Sequence, residues 1–137
     1  MCSSDLGRLK GVRFLLPEPL TLDLPGGIQV PLATASFHSL VAACDVIVSK
    51  AGYGIVSDAI AAGKPLITTE RGDFPEVPWL DRLLDETVGR TFLSRKRFEA
   101  GRWQQAIRLS RALPVTIPLN GTETAARRLV QFFRTHG

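Results

Sequence analysis

Apolar positions along this chain come in two rhythms, short solid runs and stripes at helical spacing. The run Val12-Arg-Phe-Leu-Leu16, closed by Pro17, predicts a buried strand. Asp45-Val-Ile-Val-Ser49 and Leu66-Ile-Thr-Thr69 read the same way, and a continuous apolar centre suits a parallel strand covered on both faces. Thr91-Phe-Leu93 predicts a short last strand. Between these runs lie the stripes. Phe37, Leu40, Val41 and Cys44 follow Ser36, a residue type that caps helices. Ile55, Val56, Ala59 and Ile60 are closed by Gly63 and Pro65. Val77, Leu80, Leu83 and Leu84 mark a third helix, and Trp103, Ala106 and Ile107 a fourth that ends before Pro114. Asn120-Gly-Thr-Glu123 has the spacing of a capping box and opens a last helix with Ala126, Leu129, Val130 and Phe133 on one face. Residues 17–35, rich in proline and glycine (Pro17, Pro19, Pro25, Gly26, Gly27, Pro31), predict a long loop, and Glu70–Pro78 a polar one.

Strands alternating with helices, at spacings that allow parallel crossovers, predict an α/β fold. The expected form is a Rossmann-like open parallel sheet with helices on both faces. A length of 137 residues suits one compact domain, and no internal repeat or low-complexity segment interrupts it.

Composition narrows the class. At 45% hydrophobic and 22% charged the chain has the balance of a water-soluble globular domain. No apolar run approaches the roughly 20 residues that cross a bilayer, and the start lacks the pattern of a secretory signal. The cysteines, Cys2 and Cys44, suggest neither a disulfide framework nor a metal cluster, so a reducing cytoplasm is expected. Cys44 reads as a small buried hydrophobe. The net charge of +4 is compatible with an anionic ligand, an anionic membrane surface or nucleic acid. Much of it lies in Arg90, Arg95, Lys96, Arg97, Arg102, Arg108 and Arg111, against Glu99. That stretch reads as a solvated face or as a peripheral contact with a membrane or partner. It lacks the interleaved aromatics of a nucleic-acid platform, so no nucleic-acid partner is expected. Residues 1–6, Met-Cys-Ser-Ser-Asp-Leu, resemble a translated sequencing adapter, and the genuine domain is expected to occupy residues 7–137 as part of a longer protein.

The candidate chemistry sits in residues 45–67, which run strand, glycine turn, helix, glycine, proline, strand. Ligands of open parallel sheets gather beyond the carboxyl ends of the strands, where the turn after Ser49 falls. Gly52 and Gly54 would let a ligand approach the backbone. The helix behind them points unpaired N–H groups and a positive dipole end outward, a natural phosphate seat, and Lys50 would add a full charge. A tight strand-to-helix turn with no ligand fits the same residues. Asp58, one turn into the helix, could accept hydrogen bonds from a ribose or simply face solvent. Tyr53 could pack on a ligand or on the sheet edge.

The run resembles the donor-site motif of glycosyltransferases of the two-domain GT-B type, among them the UDP-glycosyltransferases and the lipid II-forming N-acetylglucosaminyltransferase. In those families a basic or polar residue precedes the glycine turn, and an acid-bearing helix leads into Gly-x-Pro. Here Lys50, Gly52, Asp58, Ala62, Gly63, Lys64 and Pro65 fill the pattern. The phrase Lys50-Ala-Gly-Tyr-Gly-Ile-Val-Ser-Asp58 with Glu70-Arg-Gly-Asp-Phe-Pro-Glu76 is similar to a branch that includes a glycosyltransferase-like module fused to plant arabinose kinases.

The resemblance implies the C-terminal half of a GT-B fold that binds a nucleoside-diphosphate sugar, most often a UDP-sugar. It implies no metal or other cofactor, and a general base from a preceding acceptor domain, so that this piece alone would be inactive. The implied donor-binding residues are Ser49, Lys50, Gly52, Tyr53, Gly54 and Asp58, with Asp73 and Glu76 in the loop where relatives read sugar hydroxyls. Asp73 could equally cap the next helix, and Arg71 could meet phosphate or pair with a carboxylate. Where the plant enzymes place an Asn-Ser pair against phosphate, this chain has Gly54-Ile55. His38 is expected to be structural. The resemblance leaves two other readings open, a non-catalytic nucleotide-sugar-binding module and a nucleotide-sugar epimerase of the same fold. The location it implies is cytoplasmic, with a peripheral contact at the inner membrane face as one variant.

Overall fold

The computed structural model describes residues 6, 9–24 and 26–136. Residues 1–5, and with them Cys2 and most of the adapter-like opening, lie outside the described residues, as do Gly7, Arg8, Pro25 and Gly137. The elements run β1 (Phe14–Pro17), β2 (Gly27–Val30), α1 (Phe37–Ala43), β3 (Ile47–Val48), α2 (Tyr53–Ala62), β4 (Leu66–Thr69), α3 (Val77–Thr87), β5 (Arg90–Leu93), α4 (Arg95–Glu99), α5 (Gln104–Leu109) and α6 (Gly121–His136).

Every ladder among the described residues is parallel. The strands β3, β4 and β5 lie side by side in that order, with Ile47 opposite Leu66 and Leu66 opposite Arg90. The helices α2 and α3 are the crossovers, as the alternation of elements predicted. A second, two-stranded ladder pairs β1 with β2, Phe14 opposite Gly27. The architecture is therefore open α/β with parallel strands. It differs from a single continuous sheet in having two ladders.

Successive side chains of a strand point to opposite faces, and β4 uses this to divide the core. Leu66 belongs to one cluster with Val41, Val56, Ala59, Ile60, Leu80 and Leu84, which bring α1, α2 and α3 onto that face. Ile67 belongs to the other, with Leu16, Leu93, Trp103 and Ala106, which bring β1 and α5 onto the opposite face. Leu6 is buried in this second cluster. Burial on both faces explains why the start of β4 reads as a solid apolar run.

The helix ends follow local chemistry. Ser36 caps α1, its hydroxyl accepting a hydrogen bond from the Ser39 amide at 3.1 Å. Gly63 closes α2 in the left-handed region, at φ 65°. Three elements depart from the sequence reading. The strand β2 lies inside the expected long loop, α4 carries no apolar stripe, and α6 leaves its apolar face in solvent. Leu129, Val130 and Phe133 of α6 are all exposed. Cys44 is half-buried rather than buried, its thiol donates to the Leu40 carbonyl at 3.1 Å, and burial pushes its pKa up.

Candidate functional site

The site begins where β3 gives way to α2. Ser49 is held to the sheet by its amide, which donates to the Ile67 carbonyl at 3.1 Å. Its hydroxyl donates to the carbonyl of Lys50. The backbone then turns through Ala51, which is buried, into Gly52, the N-cap of α2. No side chain caps this helix and no acid lies in its first turn. The N–H groups at its start therefore point outward unanswered, at the positive end of the helix dipole. Lys50, Tyr53 and Gly54 are exposed around them. Six of the predicted donor residues, Ser49, Lys50, Gly52, Tyr53, Gly54 and Asp58, thus share the carboxyl end of β3 and the first turns of α2.

The two glycines of the turn differ. A side chain at Gly54 would meet nothing within 4 Å. A side chain at Gly52 would meet Nη1 of Arg71 at 3.1 Å. The room that Gly52 leaves is filled by the chain itself. Arg71 lies in the loop after β4, and its Nη1 donates to the Ala51 carbonyl at 2.6 Å. Its guanidinium carbon stands 3.7 Å from the centre of the Phe74 ring, a cation–π contact. Phe74 in turn packs against the first core cluster. Of the two partners that the sequence offered Arg71, phosphate or a carboxylate, the second is not found among the described residues.

Asp58 is not free on the helix surface. Its Oδ1 lies 3.1 Å from Nδ1 of His38 on α1, with Asp58 largely covered and His38 exposed. His38, expected to be structural on its helix beside Phe37, links α1 to α2 through this contact. Such a carboxylate keeps its second oxygen for another donor.

The loop candidates behave differently from each other. Asp73 is exposed, and it does not cap α3, whose N-cap is Glu76. The cap alternative for Asp73 falls because the chain turns into the helix later than the residue spacing suggests, with the Val77 amide bonded to the Phe74 carbonyl. One carboxylate oxygen of Glu76 is buried without a hydrogen-bond partner, as are the hydroxyls of Thr68 and Thr69 at the end of β4. Buried polar atoms normally find partners, so these groups are under-satisfied, Thr68 on the Leu66 face of β4 and Thr69 on the Ile67 face. Among the described residues no group of three or more His, Cys, Asp or Glu side chains is placed to hold a metal ion. A recess of about 330 Å³ lined by Leu9, Lys10, Val12, Gln104, Ile107 and Arg108 shares no residue with this site. No described helix is long and apolar enough to cross a membrane.

Sequence reasoning missed His38 and the seat of Arg71. Each meets its partner across a whole crossover, so nothing near it in the chain signals the contact.

With this geometry in hand, comparisons with known proteins add one relative. The chain is 29% identical over 111 residues to an L-arabinokinase from Arabidopsis thaliana, covering 80% of this chain and 11% of the relative. It therefore spans only a small part of that protein. No known family matches the chain, and no solved structure does.

Proposed function

We propose that the chain is the donor-binding part of a glycosyltransferase of the two-domain GT-B type, and that it seats a nucleoside diphosphate sugar, a UDP-sugar by preference. The observation that carries the reading is the uncapped start of α2 at the carboxyl end of β3, with Lys50 beside it. The diphosphate would lie on those amides. Asp58 would receive the ribose through the oxygen that His38 leaves free, and Asp73 and Glu76 would face the sugar. As the glycosidic bond to the diphosphate breaks, negative charge builds on the leaving oxygen. Fixed N–H dipoles and Lys50 stabilise that charge more than they stabilise the ground state, which is where the rate gain arises. The base that takes the acceptor's proton belongs to a separate acceptor domain in this proposal, and transfer takes place in the cytoplasm, with a peripheral membrane contact as a variant.

A second reading is a nucleotide-sugar-binding module that performs no transfer. The match to a small part of an L-arabinokinase favours it. Both readings need the same donor seat. Titrating UDP and several UDP-sugars into the chain, and into Lys50→Ala and Asp58→Ala, tests that seat. Each substitution should weaken UDP by about tenfold, the size of one charge-assisted contact. Equal affinity in all three proteins would overturn the assignment. Sugar transfer by the full-length protein then separates the first reading from the second.

A further inference from the structure

Arg71 is a half-buried cation without an acidic partner among the described residues. Its one described hydrogen bond goes to a neutral acceptor, the Ala51 carbonyl at 2.6 Å. One flat face lies on Phe74 at 3.7 Å. The rest of the guanidinium fork is unspent, and an arginine fork is matched in shape to phosphate. Lys50 and the start of α2 are positive as well, and the first turn of α2 holds no acid. Acids border this corner too, Glu70, Asp73 and Glu76 in the loop of Arg71 and Asp58 on α2. Phe74 is anchored in the core, so the guanidinium is carried on a firm platform rather than on a free loop.

We propose that Arg71 is a phosphate-binding residue of the donor seat, a second cationic arm in addition to Lys50 that grips the diphosphate while holding the turn at Ala51. The inference rests on the donor seat described above and deepens it. It also gives the space at Gly52 a role, since a Cβ there would stand 3.1 Å from Nη1 and crowd the guanidinium.

The test uses UDP and uridine as probes, with Arg71→Gln as the main variant. Glutamine keeps a planar amide that can donate to the Ala51 carbonyl and lie on Phe74, but carries no charge. NMR titration should show UDP weakened by about tenfold or more in Arg71→Gln, with uridine unchanged, because only UDP carries the phosphates. Arg71→Ala should show the same contrast, and thermal melting of both variants reports the fold. The inference is overturned if Arg71→Gln binds UDP as the unaltered chain does. It is also overturned if both probes weaken equally, which would make Arg71 a support for the turn alone. Failure of the unaltered chain to bind UDP would instead remove the donor seat itself.

Discussion

Replacing Gly54 by alanine separates a ligand seat from an empty turn, because both ideas predict a more stable fold and only the seat predicts weaker UDP binding. Gly54 lies in the first turn of α2, directly after Tyr53. Its φ is outside the left-handed region, and the added carbon would meet no atom within 4 Å. Alanine therefore brings no strain. It removes backbone freedom from the unfolded chain and should stabilise the fold by roughly 0.5–1 kcal/mol. For a domain of this size that corresponds to a rise in Tm of about 2–4 °C. The Cβ of a helical residue tilts toward the helix N-terminus, so this methyl would stand where the diphosphate is proposed to rest. UDP affinity should fall by at least about tenfold, or about 1.4 kcal/mol. Differential scanning calorimetry reads the first quantity and calorimetric titration of UDP the second. A higher Tm with unchanged UDP affinity would refute the diphosphate seat. A lower Tm would refute the account of Gly54 as unobstructed.

The same substitution should have the opposite sign at Gly89. There φ is 87° and a Cβ would stand 2.6 Å from the Arg111 carbonyl oxygen, so Gly89→Ala should cost about 1–3 kcal/mol, read from the urea midpoint. Arg90 bonds Asp81 at 3.1 Å and Asp85 at 3.0 Å. Burial raises the Asp81 pKa and Arg90 opposes that rise, with Asp85 adding to it. Without Arg90 the folded carboxyl rises further above its unfolded value of about 3.9. The folded state then binds more protons through that window, so stability is lost as pH climbs through it. Arg90→Ala should therefore cost about 1–3 kcal/mol at pH 7 and little below pH 3, and a deficit independent of pH would contradict this. On α6, Leu129 is 59% exposed, and Leu129→Ser should change stability by no more than about 0.5 kcal/mol. Leu84 is 0% exposed, and Leu84→Ala should cost about 2–5 kcal/mol in the same urea titration.

The parts of the fold that were legible in the sequence are those fixed by local chemistry or by burial on two sides. Ser36 and Gly63 marked helix ends because capping and left-handed closure need only the nearest residues. The strands β3 and β4 were visible because Ile47, Leu66 and Ile67 are buried and form short apolar runs, and β5 because Phe92 and Leu93 follow a glycine closure. The strand β2 was hidden because Ile28 and its neighbours are exposed and the segment sits among prolines and glycines. What fixes it is pairing with β1 and the Gln29 amide, which donates to the carbonyls of Leu16 and Leu20. These partners are distant in the chain. The helix α4 was hidden because Phe98 is its sole large apolar residue and no stripe forms.

The candidate site divides along the same line, and the division bears on how a glycine motif should be read. A strand, a glycine turn and a helix specify an uncapped helix start from neighbouring residues alone, so Ser49 to Asp58 could be placed in advance. What stands in front of that start comes from α1 and from the loop after β4. A missing side chain looks the same in sequence whether a ligand or the protein fills the gap. At Gly52 the gap is filled by Arg71, so Gly52 by itself gives no information about a ligand. At Gly54 nothing fills it. A glycine at an exposed helix position loses stability that alanine would keep. The chain bears that loss at Gly54 with no internal contact to require it, which agrees with a donor seated on the uncapped start of α2.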